Sequence, residues 1–154
     1  MSFVSQFHTI SLQITDSGRQ VYEKLRIRVA QHPEESGEYP FGRIFAYAHS
    51  WTPSLQFTQG LFDEKEPTIE ARNEIDELSQ WIQVGLCERK KLERTLKSSP
   101  KCKHRMYFLS RDEVHRFCFF LKGSKTNWVE RVEFFLFDSK FLLEVASLGV
   151  MLDN

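Results

Sequence analysis

The sequence predicts an α/β fold, a mixed β-sheet flanked by helices, with β-hairpins at both ends. Three observations carry this. Apolar and polar residues alternate with period two near the start, apolar residues recur at helical spacing in the interior, and strand-like runs separate the helical stretches. A chain of 154 residues, 41% of them hydrophobic, is long enough to bury a core, and one domain spanning 1–154 is expected.

Ile10, Leu12 and Ile14 alternate with Ser11, Gln13 and Thr15, as in a strand with one buried face. Asp16-Ser17-Gly18 supplies turn chemistry. Leu25, Ile27 and Val29 then alternate with Lys24, Arg26 and Arg28, completing a hairpin with one apolar and one partly basic face. The basic face reads as solvated strand surface, with a nucleic-acid contact as the alternative. His32-Pro33 ends the second strand, because a residue before proline resists helical geometry. A helix is expected from Glu34–Ser36 to Ser50, striped by Phe41, Ile44, Phe45 and Ala48, with Pro40 tolerated only in its first turn.

Leu55 to Phe57 reads as a short strand and 58–67 as a polar, acidic loop. The Glu, Ala and Arg content of 69–78 favours helix by propensity. Ser79 to Val84 forms a strand closed by Gly85, with Trp81 and Gln83 on one face and Ile82 and Val84 on the other. Glu88 to Lys97 is a basic helix that buries Leu92 and Leu96 and stops at Ser98-Ser99-Pro100. Arg105 to Leu109 is a strand. Ser110 then has N-cap composition for a helix whose apolar stripe is Val114, Phe117, Cys118 and Leu121, closed by Gly123. Val132–Phe137 and Phe141–Ala146 read as apolar strands joined by Asp138-Ser139-Lys140, the second hairpin. The sequence contains no internal repeat and no linker.

Lys and Arg number 21, as do Asp and Glu, so no global field draws in a polyanion and any such site is local. Three cysteines without a CxxC pair argue against a disulfide framework and for the cytoplasm. No apolar run approaches the roughly 20 residues of a membrane span, and no leader pattern opens the chain. A P-loop, a dinucleotide glycine motif and a nucleophile elbow are all missing, which removes support for kinase, dehydrogenase and serine-hydrolase readings. Cys102-x-His104 and His115-x-x-Cys118 have spacings zinc can use. Core packing is the stronger reading for Cys118, and shaping of the strand-to-helix turn for His32.

Five short motifs follow one another in a recognisable order. They are His32-Pro33-Glu34-Glu35-Ser36, Leu55-Gln56-Phe57-Thr58-Gln59-Gly60-Leu61, Glu66-Pro67, Trp81-Ile82-Gln83-Val84-Gly85-Leu86, and the Lys- and Arg-rich helix after it. Together they resemble the YaeQ family, whose corresponding patterns are H-P-x-E-T, L-x-F-x-x-G-L, E-P before an acid, and W-I-E-x-G-L. The resemblance implies a variant PD-(D/E)XK (restriction-endonuclease-like) core, and favours a strand and a turn over 69–78.

In that superfamily, carboxylates from a helix and two strands hold Mg²⁺ or Mn²⁺, which polarises a phosphodiester and activates water. The resemblance places Glu35 on the helix glutamate, Thr68 on the acid after Glu66-Pro67, Gln83 on the strand glutamate and Gly85 on the lysine position. A migrated Lys90, Lys91 or Arg94 can stand in for that lysine, and Glu66 or Glu70 for a missing acid. The tentative metal set is therefore Glu35, Glu66, Thr68 and Gln83, and the catalytic set Glu35, Gln83, Lys90 and Lys91. With two carboxylates replaced, the expectation is a catalytically degenerate nuclease-like fold of uncharacterised role that binds nucleic acid or a protein partner. The alternative is a Mg- or Mn-dependent nuclease acting on DNA or RNA.

Overall fold

The computed structural model describes residues 6–59 and 65–148. Strands β1 (Gln6–Asp16) and β2 (Val21–Gln31) pair antiparallel along their whole length as a separate two-stranded ribbon. Helix α1 (Glu38–Ser50) follows. The second sheet has the order β3 (Leu55–Phe57), β4 (Ile69–Arg72), β5 (Leu78–Val84), β6 (Lys103–Phe108), β7 (Val132–Leu136). Its first three strands run antiparallel to their neighbours, while β5, β6 and β7 are parallel. Helices α2 (Arg89–Ser98) and α3 (Arg111–Leu121) make the two parallel connections, and α4 (Ser139–Ser147) closes the described chain. The expected α/β class with a mixed sheet flanked by helices is what the structure shows.

Alternation along the strands sorts the core into two layers. Ile82 and Val84 of β5 and Tyr107 of β6 meet Ile44 and Tyr47 of α1, Val29 of β2 and Leu142 of α4. Trp81 and the β6 residues Met106 and Phe108 face the other way, onto Leu92 and Leu96 of α2 and Phe117 of α3. Arg19 fastens the ribbon's turn to the end of α1 by donating to the carbonyls of Ala48 and Trp51.

Three expectations need correction, and the open choice over 69–78 is decided for the strand and turn that the resemblance favoured. The second hairpin is absent, because 139–147 is helix α4. Asp138 caps it by accepting from the backbone N–H of Lys140 and Phe141, and a short apolar run is ambiguous until such a cap is recognised. The ring of Phe141 lies 5.3 Å from that of Phe45, so α4 docks on α1. Helix α1 starts at Glu38, not 34–36. A start that early would put Pro40 in the helix interior, where it supplies no N–H, so residues 33–36 form a turn. Propensity for helix over 69–78 loses to strand β4 and a turn, since Ile69 and Ala71 are fully buried between two strands and Asn73 Oδ1 accepts from Ile75 and Glu77 N–H. Cys118 is exposed, because the buried stripe of α3 runs instead through Glu113 and Phe117.

His104 on β6 is buried beside Trp81, with Nδ1 on the Cys102 carbonyl. Burial, opposed by that carbonyl, holds the imidazole below its ordinary range. The unfolded chain therefore takes up a proton that the folded chain refuses as the pH falls below about 6.5, and stability declines in that direction. Thermal midpoints measured from about pH 7.5 to about pH 5 should fall, and fall less steeply in His104→Gln. Equal slopes would assign the titration to another group.

Candidate functional site

A cleft of about 360 Å³ opens at the carboxyl ends of the parallel strands β5 and β6, where open α/β sheets bind ligands. Four segments line it. Glu35 comes from the turn before α1, with Tyr39 and Arg43 from the helix itself, and Thr68 from the entry to β4. Gln83 to Leu86 close β5, and Glu113 and Arg116 project from the first turns of α3. Glu35, Thr68 and Gln83, distant in sequence, thus share one site.

Each arrives there for a local reason. Pro33 bends the chain out of β2, the Glu34 N–H donates to His32 Nδ1, and the Glu35 N–H donates to the His32 carbonyl. That turn aims the Glu35 carboxylate at the His32 N–H, 3.0 Å away, and at the guanidinium of Arg43, which it meets through both oxygens. Arg43 also donates to the Ala30 carbonyl at 2.9 Å, so the pair ties α1 to β2. Both side chains are nearly buried, 6% exposed for Arg43 and 11% for Glu35. Thr68 stands one position beyond the Ile69–Ile82 pair, beside Gln83, and its hydroxyl accepts the Val84 N–H at 3.0 Å.

Gln83 is 7% exposed. Its Nε2 donates to the Leu86 carbonyl at 3.5 Å, and its Oε1 has no partner. The reverse amide orientation would set two oxygens against each other, so the unmatched atom is an acceptor. Buried acceptors left unmatched are uncommon and cost stability, which marks this oxygen as a group able to take a ligand's hydrogen-bond donor.

Glu113 and Arg116 were missed by sequence reasoning. Glu113 is buried, with Oε1 accepting from the Leu109 N–H at 2.6 Å and Oε2 from the Tyr39 hydroxyl at 3.0 Å. Ser110 Oγ accepts the Glu113 N–H in return. The sequence signal was the S-x-x-E pattern of Ser110 to Glu113, which resembles a capping box, but nothing local shows that this cap faces Glu35 across the sheet. Arg116 brings the cation that the α2 lysines were expected to supply, and it also pairs with Asp112 at 3.2 Å. Burial first, and the charge of Glu113 second, push the Tyr39 hydroxyl up to about 12, so it stays protonated and donating.

Other candidates lie elsewhere. Glu66 accepts the Gln59 N–H at 3.0 Å and lines a different groove, of about 610 Å³, with Glu70, Arg72 and Arg94 between the β4–β5 turn and the end of α2. Lys90 is exposed on α2 and Lys91 is buried, and neither lines the cleft. Gly60, Leu61, Asp63 and Glu64 fall outside the described residues. The zinc alternative gains no support: Cys102 and His104 are core, His115 and Cys118 are exposed, and no three His, Cys, Asp or Glu among the described residues are placed to hold a metal. Burial pushes the Cys87 thiol up to about 11 and Cys102 up to about 12, so neither is a ready nucleophile.

The family model described as "YaeQ protein" matches residues 1–149. The chain belongs to the YaeQ family. The crystal structure of YaeQ from Xanthomonas axonopodis pv. citri superimposes with a TM-score of 0.76 at 19% identity, covering 94% of this chain and 80% of that one. YaeQ from Pseudomonas syringae gives 0.69 at 25%, covering 97% and 78%. The uncharacterised YaeQ proteins of Escherichia coli K12 and Salmonella typhi are 26% and 27% identical over 94 residues. That match covers 61% of this chain, which spans about half (52%) the length of these curated YaeQ relatives. The fold described above is thus a YaeQ fold, and the family name carries no activity with it. Among the described residues no helix is long and apolar enough to cross a membrane.

Proposed function

We propose that this chain is a catalytically silent member of the PD-(D/E)XK-like fold that binds nucleic acid without cutting it. The observation that supports a loss of hydrolysis is the commitment of both carboxylates among the described residues lining the cleft to partners within the chain. Glu35 is held by Arg43 and the His32 N–H, and Glu113 by the Leu109 N–H and Tyr39. Thr68 and Gln83 stand where the resemblance expects acids. Mg²⁺ and Mn²⁺ need several hard, anionic oxygens. Among the described residues lining the cleft, the buried side-chain oxygen without a partner is the neutral Gln83 Oε1, with Arg43 and Arg116 nearby to oppose a dication. The residues present do not fit the ion, and no hydrolytic step is drawn through it. Nucleic acid as the bound class comes from analogy with the fold. Free cysteines fit a cytoplasmic location.

Calorimetry with Mn²⁺ tests this reading. The wild-type chain should give no binding heat, and oligonucleotides should survive incubation with it and Mn²⁺. Thr68→Asp with Gln83→Glu should create a site of measurable affinity. Specific cleavage by the wild type, lost in Glu35→Gln, would overturn the loss of hydrolysis. A folded double variant that still ignores Mn²⁺ would break the correspondence with the nuclease-like centre.

A further inference from the structure

We infer that the outward face of the β1–β2 ribbon is a docking surface for single-stranded nucleic acid, with the phosphates on β2 and bases stacked at its two ends. This rests on the proposed function as a nucleic-acid binder and locates the contact away from the cleft. The register defines the face. Phe7, Thr9, Ser11, Gln13 and Thr15 on β1 stand opposite Ala30, Arg28, Arg26, Lys24 and Tyr22 on β2. All are exposed except the half-buried Ala30. The opposite face carries Ile14, Ile27 and Val29 and is buried against the body of the protein.

The charge on this face is segregated. It bears three cations and no acid, in a chain whose Lys plus Arg and Asp plus Glu balance at 21 each. None of Lys24, Arg26 and Arg28 forms an ion pair among the described residues, whereas Arg19, Arg43, Arg72 and Arg105 all do. Alternate residues of a strand repeat about every 6.8 Å, so the three cations form a row spaced like successive phosphates on an extended single strand. Thr9, Ser11, Gln13 and Thr15 run parallel to them and bear the hydroxyls and amide that commonly contact phosphate and sugar.

Both ends are aromatic. Tyr22 is 64% and Phe7 48% exposed, large rings left uncovered on the ribbon face. The Arg28 guanidinium lies 4.1 Å from the Phe7 ring centroid, a planar cation ordered on an aromatic, on which a base can stack. Eight residues separate the Phe7–Ala30 pair from the Thr15–Tyr22 pair, roughly 27 Å, a span of about four nucleotides. Stacking at both ends requires unpaired bases, which selects a single strand over a duplex. No side chain is set for reading base edges, so binding is expected to be sequence-tolerant.

Fluorescence anisotropy of the full chain with labelled ten-residue oligothymidylate and oligouridylate tests the inference. Three phosphate contacts predict that log affinity falls with log salt at a slope of about −2. Lys24→Gln, Arg26→Gln and Arg28→Gln together should weaken binding at least about tenfold in low salt and flatten that slope. Tyr22→Ala should weaken binding while leaving the slope in place. These side chains are exposed, so thermal midpoints should match the wild type, and only variants that pass that control count. Wild-type binding that the folded triple variant retains would overturn the docking surface and leave the proposed function standing. No binding by the wild type overturns both. Equal affinity for oligoglutamate of the same charge, or tighter binding of a ten-base-pair duplex, overturns the single-strand assignment.

Discussion

Arg43→Met should destabilise the fold by roughly 3–5 kcal/mol, among the largest single effects expected in this chain. Arg43 and Glu35 are nearly buried, and the arginine also satisfies the Ala30 carbonyl. Removing the cation strands a carboxylate in a low-dielectric site, with only the His32 N–H left to it. Glu35→Leu alone should cost a comparable amount for the converse reason. The double variant should recover a substantial part of the loss, since an apolar pair of similar volume does not need to be desolvated against its charge. Urea denaturation at neutral pH gives all four corners of this cycle. The outcome bears on function as well as stability. If both single variants lose less than about 1 kcal/mol, as exposed ion pairs do, then the Glu35 carboxylate is within reach of solvent and of a metal. In that event the claim that it is sequestered from catalysis collapses.

Local patterns made much of the architecture legible. The ribbon followed from strict alternation around Asp16-Ser17-Gly18, α2 from Leu92 and Leu96 one turn apart, and β5 from the opposite facing of Trp81 and Ile82. Failures came where a distant neighbour decides the local state. Residues 69–72 are strand because β3 and β5 flank them, a relation that propensity does not encode. Residues 141–146 are helix because α1 offers Phe45 to receive Phe141. The cleft shows the same division. Glu35, Thr68 and Gln83 were named through the resemblance and line one cleft, whereas Glu66, Lys90 and Lys91, named with them, do not. Arg43, Tyr39, Glu113 and Arg116, which decide what the cleft residues can do, were not named. A salt bridge eight residues long and a hydrogen bond spanning 74 have no signature in a single sequence.

Gly85→Lys, which sets a lysine where the proposed nuclease-like reading would expect one, should abolish stable folding or cost at least roughly 2 kcal/mol, and should restore no chemistry. Two independent features forbid the side chain. Gly85 sits at φ +88°, a backbone conformation that L side chains rarely adopt, and its N–H is fixed to the Tyr107 carbonyl at 2.8 Å. A Cβ built there would lie 3.2 Å from Cε1 of Tyr39, a ring held in place by its hydrogen bond to Glu113. Gly85→Ala separates the two terms. The backbone term persists whatever its neighbour, at about 1–2 kcal/mol. The steric term should vanish when Tyr39→Ala is combined with it, so the double variant should lose less than the sum of the singles. Strict additivity in thermal or urea unfolding would show that the ring yields freely and that Tyr39 does not guard this position. The glycine, Tyr39 and Glu113 would then cease to be one device, and a longer side chain at 85 would have room to enter the cleft. As the structure stands, position 85 is closed to a longer side chain by backbone geometry and by a tyrosine, and Arg116 is the cation of α3 that lines the same cleft.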